Sequence, residues 1–198
     1  MLDTTFGKFV LRLGSLRERI SEDDYFEICQ LNELLVIERN QNGDWEIQSI
    51  NGGTDGARSA KVTSAVGAWA NEDGTGIGFG AFTGFTLPNG AVRAPDCAWV
   101  RKQRWKALTR DQVQKFAPIC PELAVEIRAK HESVADLHTK LEEYIANGSQ
   151  LGWLIDPFEK RIYVYRPRLD VEVLENPETV SGEPLLKGFV LNVQSLWS

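Results

Sequence analysis

The sequence contains few of the residues that are typical of folds stabilised by a structural metal ion or by disulfide bonds. It has three cysteines and two histidines in 198 residues, and no two cysteines form a Cys-x-x-Cys pair. That scarcity argues against a structural zinc site and against a disulfide framework. Cys29 and Cys97 are expected to be buried free thiols, and Cys120, which stands between two prolines, is the candidate for an exposed one.

Long hydrophobic runs are also missing. No apolar stretch approaches the roughly 20 residues that a membrane-spanning helix requires. The first 14 residues are too polar, and too short in their apolar part, for a signal peptide. We therefore expect a cytoplasmic protein that does not contact membranes.

Basic residues are outnumbered by acidic ones, 22 against 28, which gives a net charge of −6. A protein that coats nucleic acid through a broad basic surface normally has the opposite balance. The charge argues less strongly against an enzyme, because its contact with a phosphate is local and can be mediated by a metal.

The chain is long enough for one domain with a sizeable core. Residues 1–17 are predicted to form an N-terminal arm, and residues 18–198 a single domain. Apolar periodicity and turn residues place the elements. Strands are predicted at 34–39, 45–50, 77–85, 86–87, 92–100, 122–128, 152–156, 161–166, 171–174 and 188–191. Helices are predicted at 22–29, 57–71, 101–116 and 134–147. A glycine-rich loop at 51–56 lacks the Gly-Lys-Ser/Thr ending of a phosphate-binding loop.

The segment 122–155 sets the fold class. Leu123, Val125 and Ile127 alternate with polar or small residues, as in a strand. A helix that starts after Ser133 and a second buried strand follow. This order predicts one right-handed βαβ crossover in a sheet otherwise built from hairpins. The predicted class is α/β in the α+β sense, with a mixed sheet.

Five charged residues lie on otherwise apolar elements: Glu38, Asp96, Glu126, Arg128 and Lys140. Four of them have an ordinary explanation. Glu126 and Arg128 are compatible with a salt bridge at the rim of a sheet, Glu38 with a solvated position near a turn or a pair with Arg39, and Lys140 with an extended stem that reaches solvent. Together they fit phosphodiester hydrolysis, which needs oxygen ligands for a hard cation, a positioned water and a cation facing the phosphate.

The ordered set of motifs resembles the PD-(D/E)xK nuclease superfamily and, more closely, the Uma2 family of restriction-endonuclease-like proteins. The resemblance runs from about Glu18 to Trp197. Its carriers are the sequences IER at 37–39, TGFTLPNG at 83–90, APDCAW at 94–99, EIR at 126–128, KLEEY at 140–144, GWLIDP at 152–157 and VYRP at 164–167.

The resemblance implies a restriction-endonuclease-like core with flanking helices and added β-hairpins. It implies that Asp96 and Glu126 are metal ligands, with the Ile127 carbonyl as a third. Arg128 replaces the superfamily lysine and would bind phosphate, since arginine keeps its proton. The lysine of this family is on the following helix, here Lys140, and Glu38 would complete the acidic cluster. The loop 129–133 departs from the Ser-Pro-Ser-like sequence that is common in the family.

The predicted function is a Mg²⁺- or Mn²⁺-dependent DNA endonuclease. The alternative is a catalytically inactive member that keeps the nuclease fold as a binding or assembly module. A small-molecule hydrolase is disfavoured, because the sequence has no Gly-x-Ser-x-Gly elbow and too few histidines for a triad. A homodimer is predicted, because a DNA duplex is pseudo-symmetric, and the aromatic arm is the candidate contact.

Overall fold

The computed structural model describes residues 8–49 and 52–197. Its strands are β1 (Phe9–Leu11), β2 (Leu35–Arg39), β3 (Trp45–Ser49), β4 (Gly76–Gly80), β5 (Phe85–Thr86), β6 (Val92–Arg93), β7 (Cys97–Arg101), β8 (Leu123–Ile127), β9 (Leu151–Asp156), β10 (Arg161–Tyr165), β11 (Glu172–Glu175), β12 (Thr179–Ser181) and β13 (Val190–Asn192). Its helices are α1 (Glu22–Leu31), α2 (Gly53–Asp73), α3 (Lys102–Lys106), α4 (Arg110–Gln114) and α5 (Val134–Ala146). Short 3₁₀ turns occupy Gly14–Arg19 and Gln194–Leu196.

The strands form a six-stranded mixed sheet, a five-stranded antiparallel sheet and a small hairpin. The six-stranded sheet has the order β11-β10-β9-β8-β7-β4, and the five-stranded sheet has the order β1-β3-β2-β6-β5. β8 and β9 run parallel and are joined through α5. This is the crossover that the sequence predicted. Their antiparallel neighbours are β7 and β10.

The two faces of the six-stranded sheet bury separate cores. Leu123, Val125 and Ile127 of β8 face the core that includes α2 and the C-terminal segment. Ala124 of β8 faces the core that includes Leu137 and Leu141 of α5. Because side chains alternate along a strand, Glu126 lies on the α5 face. The sheet is therefore the middle layer, and the charged position of β8 points towards the helix that carries Lys140.

Helix α5 packs closely on the sheet because β9 has a glycine beneath it. A Cβ atom at Gly152 would lie 2.7 Å from Cδ1 of Leu141 and 3.3 Å from Cβ of Tyr165. Leu141 follows Lys140 directly in the sequence. The close approach at Gly152 therefore helps to fix the height of Lys140 above the strands.

The predicted strand 92–100 is wrong as one element. It divides at Pro95 into β6, which belongs to the five-stranded sheet, and β7, which belongs to the six-stranded sheet. Proline cannot donate a ladder hydrogen bond, and the N–H of Ala94 donates to the carboxylate of Glu38 instead. The predicted strand 77–85 is likewise shorter, since β4 ends at Gly80 and β5 belongs to the other sheet. The chain thus changes sheets beside Asp96.

Three other sequence predictions are corrected. Helix α2 begins at Gly53, inside the predicted glycine-rich loop, with extended Gly52 as its N-cap. The predicted helix 101–116 is two short helices, because Thr109 and Gln112 form a capping box that starts α4 anew. Cys120 is buried, with 1% of its surface exposed, because it packs against Ser149 and Tyr144.

The N-terminal region contributes to the five-stranded sheet. β1, which falls within the predicted arm, pairs with β3 in antiparallel register, Phe9 opposite Ile47. Residues 1–7, and Ile50 at the end of the predicted β-hairpin, lie outside the described residues. No helix among the described residues is long and apolar enough to cross a membrane.

Candidate active site

Glu126 is held in the centre of the six-stranded sheet by partners from α5. It lies on a strand whose five residues are all buried, and 5% of its own surface is exposed. Oε1 of Glu126 lies 2.9 Å from Nζ of Lys140 and accepts a hydrogen bond of 3.1 Å from the hydroxyl of Tyr144. Lys140 and Tyr144 are one helical turn apart and therefore share a face of α5. Lys140 thus points towards Glu126, as the sequence predicted.

Glu38 reaches the same ammonium group from the other sheet. Its Oε1 lies 2.8 Å from Nζ of Lys140 and accepts the Ala94 N–H at 2.7 Å. Burial alone would raise the pKa of Glu38, but the charges of Lys140 and Arg93 and the Ala94 hydrogen bond hold that pKa below its usual value. Glu38 is therefore a carboxylate that keeps Lys140 charged and in place.

Arg93 ties Glu38 into a second buried network that sequence reasoning missed. Its Nη1 lies 3.3 Å from Glu38 and 2.6 Å from Glu46, and its Nε lies 2.5 Å from Glu143. These three acids lie on β2, β3 and α5. A buried arginine with three carboxylate partners is a structural clamp, because leaving any of those charges unpaired in the interior is costly.

Asp96 lies where the chain enters β7. Its Oδ2 accepts the N–H of Ile127 at 2.8 Å, and its backbone carbonyl accepts the hydroxyls of Ser59 and Thr63 from α2, both at 3.3 Å. Burial, reinforced by the charges of Glu132 and Glu38, raises the pKa of Asp96 to about 6. The hydrogen bond to Ile127 fixes Asp96 beside the strand that carries Glu126.

These side chains border one small cavity between the two sheets. Its volume is about 50 Å³, and its polar lining is Glu38, Gln48, Asp96, Glu126, Glu132 and Lys140. Binding pockets for organic molecules typically measure several hundred Å³. A space of this size suits water and a small ion. Burial and the charges of Asp96 and Glu38 outweigh the attraction of Lys140 and raise the pKa of Glu126.

A larger cleft of about 260 Å³, bordered by the loop after β8, adjoins this cavity. The two spaces share Glu38, Gln48, Glu132 and Lys140, and the larger one adds Lys8, His131, Ser133, Asp136 and Leu137. Glu132 was missed by sequence reasoning, although the altered loop 129–133 was noticed. Its position in both spaces makes it the fourth carboxylate of the site.

Arg128 is not grouped with the acids. Its Nη1 lies 2.9 Å from Asp156, its Nε donates to the Glu132 carbonyl, and its guanidinium lies over the ring of Phe158. Arg128, for which the family resemblance implies phosphate binding, is therefore not among the residues that line the small cavity, whereas Glu126 is. β8 ends at Ile127, so the alternation of a strand does not extend to Arg128.

The donors present suit a hard cation. Asp96, Glu126 and the Ile127 carbonyl would offer two carboxylates and one carbonyl oxygen, which matches the oxygen-rich coordination of Mg²⁺. Within residues 8–49 and 52–197, no cluster of three or more His, Cys, Asp or Glu side chains is arranged to hold a metal ion. A site of the predicted kind therefore depends on the backbone carbonyl and on water in addition to the two acids.

The fold is that of a nuclease-like protein. The chain is similar to a protein from Anabaena variabilis whose crystal structure is described as that of "a putative nuclease belonging to DUF820". The TM-score is 0.70 with 21% sequence identity, over 90% of this chain and 97% of the other. The comparison with curated proteins finds no match.

A match to a family profile identifies the family to which the chain belongs. The profile of the Uma2 family, described as "Putative restriction endonuclease", matches residues 22–194. The match includes Glu38, Asp96, Glu126 and Lys140. The chain belongs to the Uma2 family.

Proposed function

We propose that this protein is a divalent-metal-dependent DNA endonuclease that hydrolyses phosphodiester bonds. The observation that carries the proposal is the convergence of Asp96, Glu126 and Lys140 on one small polar cavity. Membership of a restriction-endonuclease family supports it, because proteins of that class generally use divalent metals and act on nucleic acid.

Asp96, Glu126 and the carbonyl of Ile127 would hold the cation. When bound, Mg²⁺ or Mn²⁺ polarises the phosphoryl oxygens and lowers the pKa of a bound water. Burial, reinforced by neighbouring carboxylates, raises the pKa of Asp96 and of Glu126, and a bound cation would favour the ionised form of both, which supports this assignment. Glu132 borders the same space and would accept a hydrogen bond from the attacking water.

Lys140 would stabilise the negative charge that develops on the phosphate. The surrounding acids raise the pKa of Lys140 despite its burial, so that it remains an ammonium ion. An ammonium ion cannot accept a proton, which excludes Lys140 as the general base in this state. Glu38 positions Lys140 through its 2.8 Å ion pair.

Arg128 would bind an adjacent phosphate. Asp156 and the Glu132 carbonyl engage its Nη1 and Nε atoms, while Nη2 makes no hydrogen bond to the described residues. A guanidinium has five N–H donors. The remaining donors would therefore be available for a phosphate.

One observation favours a catalytically inactive binding or assembly module. Lys140 already lies between Glu38 and Glu126 and compensates part of their charge internally. A protein without a metal would gain stability from the same arrangement. The net charge of −6 is compatible with this second function.

Plasmid nicking separates the two functions. We expect purified protein to nick supercoiled plasmid in Mg²⁺ or Mn²⁺, and Asp96→Asn and Lys140→Met to lose at least a hundredfold in rate. Asp170→Asn, an exposed acid outside the site, is the matched control and should retain full activity. Equal nicking by wild-type protein and Asp96→Asn, or none by either across metals and DNA forms, would reject the nuclease proposal.

A further inference from the structure

Phe82 is a large apolar side chain held out in solvent beside the candidate active site. It lies in the loop between β4 and β5, and 61% of its surface is exposed. The neighbouring phenylalanines behave differently, since Phe79 and Phe85 pack edge to face with ring centroids 5.5 Å apart. Within residues 8–49 and 52–197, no aromatic ring or cation is paired with Phe82.

The backbone at Phe82 adopts a conformation that is unfavourable for this residue. Its φ angle is +67°, in the left-handed region where bulky side chains are rare. The flanks of the loop hold it there: Phe85 is fully buried, and Gly84 lies so close to the ring of Phe116 that a Cβ would overlap it. Strained residues of this kind concentrate at ligand sites. A glycine would suit this backbone better than a phenylalanine does.

Two cavities meet at Phe82. One is the small acidic cavity with Asp96, Glu126 and Lys140. The other measures about 260 Å³ and has a mainly apolar wall, formed by Cys29, Leu35, Val36, Ile37, Val92 and Phe116. The two share Val36, Glu38, Phe82 and Ala94. A ligand whose phosphate binds a cation held by the acids of the first cavity can therefore place a flat apolar group in the second.

A nucleotide has those two parts. Its phosphate carries the charge, and its base is a planar ring that stacks on aromatic side chains. Gln30 and Glu33 also border the larger cavity and present polar groups to the edge of a ring. In a duplex the base is stacked between its neighbours, and exposing it costs free energy. Such a site would favour a strand whose base is already unstacked.

We propose that Phe82 and the adjoining apolar cavity form a nucleobase subsite, which makes single-stranded or locally opened DNA the preferred substrate. The subsite rests on the proposed function, because the active-site phosphate determines which base reaches Phe82. The aromatic ring supplies a stacking surface, and the apolar wall excludes water from the other side of the base. Phe82 selects single-stranded over duplex DNA and takes no part in bond cleavage.

The test is a binding measurement that does not depend on hydrolysis. The probe is a fluorescein-labelled single-stranded DNA of 12 nucleotides with one 2-aminopurine, titrated in Ca²⁺, a hard cation that oxygen ligands also bind. Phe82→Ala should weaken binding about tenfold, as expected for the loss of one stacked base. Phe82→Trp should retain affinity and quench the 2-aminopurine. The same sequence as a duplex should bind more weakly to wild-type protein and respond less than twofold to Phe82→Ala.

Two variants separate recognition from folding. Phe82→Gly should lose binding as Phe82→Ala does, while its melting temperature stays equal to or above that of wild-type protein, because glycine tolerates the positive φ. Leu169→Ala, which removes an exposed apolar side chain in another loop, should change neither quantity.

Several results would overturn the subsite. They are binding by Phe82→Ala within twofold of wild type, equal loss of duplex and single-strand binding, absence of 2-aminopurine quenching, and Phe82-dependent binding of RNA but not DNA. Plasmid nicking without Phe82-dependent binding would reject the subsite and leave the nuclease proposal standing. Phe82-dependent binding without hydrolysis in any metal would reject the nuclease proposal and leave the subsite standing.

Discussion

Lys140 explains how acidic side chains can lie so close together inside this protein. Its ammonium group pairs with Glu38 at 2.8 Å and with Glu126 at 2.9 Å, one acid from each large sheet. Among the described residues, Asp96 has no such ion pair. Its Oδ2 accepts the Ile127 N–H, and its pKa is raised to about 6 by burial and by nearby acids. Asp96 therefore lacks the ion pair with Lys140 that Glu38 and Glu126 have, and its raised pKa can be tested by titration.

The raised pKa of Asp96 predicts a pH-dependent loss of stability in metal-free protein. Below about pH 4 the carboxyl is protonated in both states. Between about pH 4 and pH 6 the folded protein keeps the proton while the unfolded chain releases it, so the free energy of unfolding falls as pH rises. We expect this group to contribute on the order of 2 kcal/mol across that window.

Urea unfolding at pH 4, 5, 6 and 7 in EDTA measures the effect. Asp96→Asn should make the fall between pH 4 and pH 6 less steep, because it removes one of the two carboxyls whose pKa the fold raises and leaves Glu126, and Asp170→Asn should reproduce the wild-type slope. An unchanged slope in Asp96→Asn would show that Asp96 ionises in the folded protein as it does in the unfolded chain.

Among the helices and strands, the packing of α5 on β9 sets the height of Lys140 above the six-stranded sheet. Gly152→Ala should destabilise the protein by about 1–3 kcal/mol, because the new methyl would press on Leu141 and lift the helix that carries Lys140. Gly67→Ala is the matched change in the interior of α2, where a Cβ meets no atom within 4 Å. It should stabilise the protein by about 0.5–1 kcal/mol. Chemical denaturation of both variants measures the change in the free energy of unfolding, which should have opposite signs. A loss of stability in Gly67→Ala, or no change in Gly152→Ala, would show that the glycine at 152 does not govern the packing of α5.

The sequence predicted the elements whose pattern is local. Alternation identified β8, and apolar periodicity identified the helix that starts after Ser133, which is α5 and carries Lys140. The break at Pro95 was harder to predict, because β6 has only two residues and belongs to another sheet. Local periodicity cannot show which sheet a short strand joins.

Ion pairs between residues far apart in the sequence were the other feature that the sequence could not predict. Arg93 meets Glu143 across 50 residues and Glu38 across 55, and Glu132 enters the site through a loop without periodicity. The hydrogen bond from Tyr144 to Glu126 likewise depends on the fold, because the two residues lie on different elements. Charges on otherwise apolar elements singled out Asp96, Glu126 and Lys140, and the family resemblance supplied their roles in catalysis, which stay predictions.

At the scale of the molecule, Arg93 joins the five-stranded sheet to α5. Arg93→Met should destabilise the protein by about 3–5 kcal/mol, because it leaves the acids of β2, β3 and α5 without their shared cation. Arg166→Met removes an exposed ion pair with Glu172 and should cost less than about 1 kcal/mol. Thermal and urea unfolding of Arg93→Met and Arg166→Met measure the two losses of stability. A loss of similar size in both variants would contradict the role of Arg93 as a clamp between layers.

The homodimer stays a prediction at this scale. β1 is the outermost strand in the order of the five-stranded sheet, and Phe9, Val10 and Leu11 are exposed. Sheet edges with exposed apolar residues tend to pair with another chain. Sedimentation equilibrium would return twice the monomer mass if β1 forms such a contact, and a monomer mass would reject it.

Anomalous diffraction from a crystal soaked in Mn²⁺ shows whether Asp96 and Glu126 form a divalent-cation site. We expect an anomalous peak within about 2.0–2.3 Å of carboxylate oxygens of Asp96 and Glu126 and of the Ile127 carbonyl, distances typical of Mg²⁺- and Mn²⁺-sized ions. The peak should be absent in Asp96→Asn. Saturating Mn²⁺ with no peak at these oxygens, or a peak that persists unchanged in Asp96→Asn, would contradict the proposed cation site.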